Sequence, residues 1–213
     1  MSAFIAIAVG CAIPLPSQYS SAPSSHDQQT LVAALESVHT IPTRPRILGY
    51  SRERFGHGWG THVTASGQFC TTRQILVQAT FSTDVPTPSS APATCGVRYP
   101  RGVGPQDPYT GKLLQASHVD VDHIVPLSAA WDLGAYQWDE QKRVRFANDM
   151  QWNLVVVDST VNRDKSDATL SEWMPPAITA HCSYAARFVA VVARYELALP
   201  EADVTTARKA CAL

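Results

Sequence analysis

Two short apolar runs, widely spaced along the chain, constrain the fold more than any other feature. The first is Val119-Asp120-Val121-Asp122-His123-Ile124-Val125. Its alternation predicts a β-strand with Val119, Val121 and His123 on one face and Asp120 and Asp122 on the other. Pro126 ends that strand, and a twist or bulge is expected to turn Asp122 and His123 toward one cavity. The second run, Asn153-Leu154-Val155-Val156-Val157, predicts a buried strand. Ser159 or Thr160 then caps a short helix that carries Asn162, Arg163 and Lys165.

The flanks read as separate helices and short strands. Leu31, Val32, Leu35 and Val38 have helical spacing, with Asp27 as the cap. Residues 71–81 predict a helix capped by Thr71 or Thr72, with Ile75, Leu76 and Ala79 inward. Tyr50, Phe55 and Trp59 are expected anchors, with Arg52 and Arg54 outside. Gly111 marks a turn into a strand, residues 139–150 a helix, and residues 183–199 one long amphipathic helix. Pro200 opens a last helix. Trp131, Trp138, Trp173 and Tyr109 are expected in the core. The mixture is that of an α+β protein.

Charge excludes a uniformly basic nucleic-acid binder: 17 Lys and Arg stand against 18 Asp and Glu. The distribution is uneven, because residues 40–112 hold eight basic side chains and three acidic ones, and residues 113–167 five and nine. Such a pairing suits a polyanion held against a cation site.

No run approaches the ~20 apolar residues that span a bilayer. Residues 1–12, with the apolar stretch Phe4–Ala12, predict a signal peptide, and residues 13–27 a Pro- and Ser-rich leader. Cys70, Cys95, Cys182 and Cys211 then form an even set, which in an exported chain predicts two disulfides. Of three possible pairings, the nearest-neighbour one, Cys70–Cys95 and Cys182–Cys211, is expected.

The residue types around the two strands suit hydrolysis of a phosphodiester. A divalent cation neutralises a phosphate oxygen and stabilises the leaving oxygen. A carboxylate (Asp122) and an amide oxygen (Asn162) match the preference of magnesium, with manganese as the alternative. Alternation leaves Asp120 open as the ligand in place of Asp122. Histidine suits proton abstraction from water near neutrality. His123 then needs its other ring nitrogen fixed by a carbonyl, and Asn153 is placed to hold the loop that supplies it. Arg163, Lys165 and Arg73 are candidate phosphate contacts. The bland readings are an Asp122–His123 structural bond, Asn153 as a turn residue and Asn162 as a helix-start cap.

The runs Val119–Trp131, Phe146–Asp158 and Asn162–Asp167 resemble the HNH endonucleases, including the HNH domain of RNA-guided DNA nucleases. The wider pattern is similar to secreted HNH proteins related to the C-terminal nuclease domain of GmrSD-type restriction enzymes. It comprises Tyr50-Arg52-Phe55, Cys70-Thr72-Arg73, Asp107–Gly111 and Trp173–Pro176. The resemblance implies a ββα-metal core over about 113–170 within a single domain, 28–213. It implies Asp122 and Asn162 as metal ligands, His123 as general base and Asn153 as the middle Asn. The acidic, glycine-containing run that members carry before the first cysteine is missing here, so no accessory metal site is expected.

The expected activity is a secreted, metal-dependent endonuclease of DNA, with RNA as a second substrate class. It has low sequence preference, no membrane association and no obligate protein partner. A catalytically silent, disulfide-stapled secreted binding protein and a cytosolic restriction nuclease are the alternatives.

Overall fold

Burial sorts the side chains of the two runs before any helix is placed. In the computed structural model, which describes residues 23–63, 67–81 and 102–213, the elements follow in order. They are α1 (Ser25–Ser37), β1 (His39–Ile41), β2 (Thr61–Val63), β3 (Phe69–Thr71), α2 (Thr72–Phe81), β4 (Val103–Gln106) and β5 (Leu113–Gln115). Then come β6 (Val119–His123), α3 (Leu127–Asp132), α4 (Glu140–Ala147), β7 (Leu154–Asp158), α5 (Ser159–Lys165), α6 (His181–Arg194), β8 (Ala198–Pro200) and α7 (Glu201–Ala210). The arrangement is α+β. Among the described residues the strands form two-stranded pairs: β2 with β3, β4 with β5 and β6 with β7 antiparallel, and β1 with β8 parallel.

β6 and β7 are central to the site. Their register runs from Val119 opposite Asp158 to His123 opposite Leu154 without a shift, so of the expected twist or bulge a bulge is absent. Val119 and Val121 of β6 and Leu154 and Val156 of β7 bury one face against Val77 of α2 and Leu114 of β5. The other face carries Asp120, Asp122, Val155 and Val157 toward α5 and the main core. That core is built from α1, α3, α6, α7 and the aromatic ring of Phe55. The connection between β6 and β7 holds α3 and α4, whose buried Trp131 and Phe146 tie the ribbon to the core.

Several boundaries differ from expectation for identifiable reasons. Ser24, not Asp27, caps α1 by accepting from the Asp27 amide, so residues 25–27 are helical rather than part of a leader. Asp158, not Ser159 or Thr160, caps α5: its carboxylate accepts from the amides of Thr160 and Val161. Thr71 caps α2 reciprocally with Gln74, while Val77 rather than Ile75 or Ala79 is the buried apolar side chain. The long C-terminal helix stops at Arg194. Glu196 takes φ +58, and the apolar tail beyond it becomes β8, paired with β1.

Cys182 and Cys211 are joined, tying α6 to the end of α7. Cys70 is also disulfide-bonded. Its expected partner Cys95, the signal segment 1–12, most of the leader, and residues 83–92 and 94–100, which the sequence reads as a loop and a strand, lie outside the described residues.

Candidate active site

Asp122 sits on the inward face of β6, where an unpaired carboxylate would be costly. Lys165 answers it. Its Nζ donates to Asp122 Oδ1 at 2.9 Å, to Oδ2 at 2.8 Å and to the His123 carbonyl at 2.6 Å. The Tyr109 hydroxyl donates to Asp122 Oδ2 at 2.6 Å. Asp122 is 5 % exposed and Lys165 0 %. Burial lowers the Lys165 pKa, and Asp122 opposes that shift. Burial, followed by the adjacent Asp122 charge, pushes the Tyr109 hydroxyl well above its usual range. Lys165, expected as a phosphate contact, is therefore an internal cation that braces the strand.

The His123 ring lies on the other face of β6. Its Nε2 is 2.9 Å from the Ala147 carbonyl. A carbonyl only accepts, so Nε2 carries the proton and Nδ1 keeps its lone pair. Trp59 stacks on the ring with centroids 5.5 Å apart and planes 6° from parallel. Burial brings the His123 pKa down to about 3; the Ala147 bond works in the opposite direction, and the charges of Arg52 and Lys165 add to the lowering. The imidazole is neutral at physiological pH.

Asn153 holds the frame for this arrangement. Its Oδ1 accepts from the Val125 amide at 2.9 Å, and its Nδ2 donates to the Phe146 carbonyl at 3.3 Å. Its carbonyl accepts from Ile124. One buried amide thus ties the exit of β6 to the end of α4, where Ala147 presents its carbonyl. The Trp59 side is fixed similarly. Asn148 Oδ1 accepts from the Gly60 amide and the Thr72 hydroxyl, and a Cβ at Gly60 would lie 3.0 Å from Asn148.

A cleft crosses the C-terminal end of β6 and so borders residues of both faces. Arg52, Asp122, His123, Ser128, Asn162 and Asp167 line it. Asn162 Nδ2 lies 3.5 Å from Asp120 Oδ2, which places the amide beside the neighbouring carboxylate of β6. The structure thus brings Asp122, His123 and Asn162 to one cleft and sets Asn153 behind it. It does not bring Arg73 or Arg163 there. Arg73 donates to the Val119 carbonyl, and Arg163 is exposed beside Thr160. Arg44 fixes the turn after α5 by reaching Asp132 Oδ2 at 2.9 Å and Asp167 Oδ2 at 2.9 Å.

Carboxylate and amide oxygens at the cleft make a donor set for a hard divalent cation. No cluster of three or more His, Cys, Asp or Glu side chains suited to a metal occurs among the described residues. Any ion here would therefore complete its shell with water or substrate oxygens. Sequence reasoning missed the Tyr109 and Lys165 partners of Asp122 and the stacking of Trp59 on His123. A buried tyrosine needs a partner for its hydroxyl, and Lys165 lies three residues after Asn162 on one helical face; both signals were present.

Comparison with known proteins gives the family of the chain. Residues 97–204, half of the chain, match the family described as GmrSD restriction endonucleases, C-terminal domain. An "Uncharacterized secreted protein" of Arthroderma benhamiae is 33 % identical over 205 residues, covering 95 % of this chain and 91 % of that protein. No solved structure matches. Among the described residues, no helix is long and apolar enough to cross a membrane. The chain is secreted, like that relative, and it belongs to the family of GmrSD restriction endonuclease C-terminal domains.

Proposed function

We propose that this protein is a secreted HNH-type endonuclease with a ββα-metal core formed by β6, β7 and α5. It hydrolyses phosphodiester bonds in DNA, with RNA as a second substrate class, at low sequence preference. The observation that carries the reading is the bond between His123 Nε2 and the Ala147 carbonyl, which leaves Nδ1 as a proton acceptor beside a polar cleft.

Asp122 and Asn162 would hold a divalent cation, magnesium or manganese, with Asp120 the carboxylate next to Asn162. When bound, such a cation neutralises charge on the phosphate and on the departing oxygen. His123 Nδ1 takes a proton from a water whose oxygen bonds to phosphorus while the P–O ester bond breaks. The leaving oxygen acquires its proton from solvent. The Ala147 carbonyl holds the ring orientation, and Asn153 holds the end of α4 through the adjacent Phe146 carbonyl. Trp59 covers one face of the imidazole and keeps bulk water from it. Base recognition has no dedicated element among these residues, so phosphate contacts dominate binding.

One observation favours a catalytically silent binding protein: Lys165 already supplies a positive charge to both oxygens of Asp122. Asp122 Oδ2 accepts from both Lys165 and Tyr109, but Oδ1 accepts from Lys165 alone and retains a second lone pair, so the bond does not close the site. Incubating the oxidised protein with supercoiled plasmid separates the readings. Nicking that requires magnesium or manganese and stops with chelator supports the nuclease. Plasmid that stays supercoiled under every divalent ion refutes it.

A further inference from the structure

The cleft lacks the phosphate contacts expected from α5 and α2, because Lys165 is buried, Arg73 bonds a strand carbonyl and Arg163 does not line it. One cation does line it among the described residues. Arg52 borders the cleft that holds Asp122, His123 and Asn162, and it also borders the smaller hollow on the Trp59 side of the same imidazole. It makes no ion pair or side-chain hydrogen bond among the described residues and is exposed. Its backbone is nevertheless rigidly set. The 3-10 turn Arg52–Phe55 is anchored by Phe55, 1 % exposed, whose ring meets Trp131 at 6.4 Å and Phe146 at 6.1 Å. Arg143 donates to the Arg54 carbonyl at 2.8 Å, and the Arg54 guanidinium lies over the Trp131 ring. A fixed backbone thus holds an uncommitted guanidinium at the rim of a polar cleft, where its planar fork can meet an anion.

We propose that Arg52 is a catalytic residue whose guanidinium contacts the non-bridging oxygens of the scissile phosphodiester beside His123 and stabilises the charge that builds there. This rests on the phosphodiesterase reading of the cleft. The planar fork matches two phosphate oxygens at once, which an ammonium cannot do. The basic N-terminal half of the chain thus delivers its charge to the acidic half at this point, while Arg44 is spent on Asp132 and Asp167.

The test is steady-state cleavage of a labelled DNA duplex by wild type, Arg52→Ala and Arg52→Lys, with and without added guanidinium. Arg52→Ala is expected to lose about 100- to 1,000-fold in kcat, as removal of one charge-stabilising donor does elsewhere. KM should change only a few-fold and the melting temperature should not move. Arg52→Lys should fall between the two, and guanidinium should restore at least ~10-fold to the Ala variant alone. If wild type cleaves and Arg52→Ala keeps kcat within ~3-fold, or loses only in KM, the Arg52 role is overturned while the nuclease reading stands. A wild type inert with every divalent ion overturns both.

Discussion

Removing the Lys165 ammonium is the sharpest test of the architecture. In Lys165→Met the methylene stem is kept and the Asp122 carboxylate is left 5 % exposed with only the Tyr109 hydroxyl as partner. Two bonds to a carboxylate and one to the His123 carbonyl disappear. Hydrogen bonds to charged groups contribute ~1.5–3 kcal/mol each, and breaking one side of a buried pair costs about 3–5 kcal/mol. That is a large part of the ~5–15 kcal/mol typical of a domain. With a urea m-value of ~2 kcal/mol/M, the midpoint should drop by about 2 M. Asp122→Asn/Lys165→Met carries no uncompensated charge and should recover part of the loss, giving a coupling energy of ~2–3 kcal/mol. Tryptophan fluorescence reports the transition. Single and double variants that add to within ~0.5 kcal/mol would show that the pair does not brace the strand.

Other outcomes follow from the same structure. Ser166 sits at φ +53 just after α5, a region that disfavours a side chain, so Ser166→Gly should raise stability by about 1 kcal/mol in urea unfolding. Breaking the Cys182–Cys211 bond, which spans 29 residues, should cost about 3–4 kcal/mol by the chain-entropy relation, read as a lower melting temperature of a Cys182→Ser/Cys211→Ser variant. His123 has a folded pKa of about 3 against ~6.5 unfolded, so the unfolded chain binds more protons between those values. Its contribution is full above pH ~6.5 and is lost as pH falls toward 3. The wild-type unfolding midpoint should therefore fall more steeply with acid than that of His123→Gln; parallel curves would contradict the burial of the ring.

What the sequence revealed depended on how local the determining physics was. The alternation of Val119–His123 and the run Leu154–Val157 located β6 and β7, because period-two burial is written in consecutive residues. The carbonyl partner of His123 was anticipated as a requirement, yet its identity as Ala147 needed the path of α4, which Asn153 ties to the exit of β6 by donating to the Phe146 carbonyl and accepting from Val125, 28 residues away. Lys165 was misread because a lysine on a short helix is usually exposed; only the inward face of β6 makes it internal. The end of α6 was misplaced because Leu197 and Leu199 continue an apolar pattern while serving a turn and a strand beside β1. β4 was missed because Val103-Gly104-Pro105-Gln106 contains two residues that normally weaken strands. Gly104 lies close against the Phe81 ring, a contact no sequence pattern announces.

The most direct test of the account is the turnover of His123→Ala on supercoiled plasmid with magnesium, measured beside its urea unfolding curve. The account predicts a cooperative unfolding transition and cleavage reduced by at least ~100-fold, the scale of a lost general base. Turnover equal to wild type in a folded His123→Ala protein would contradict it.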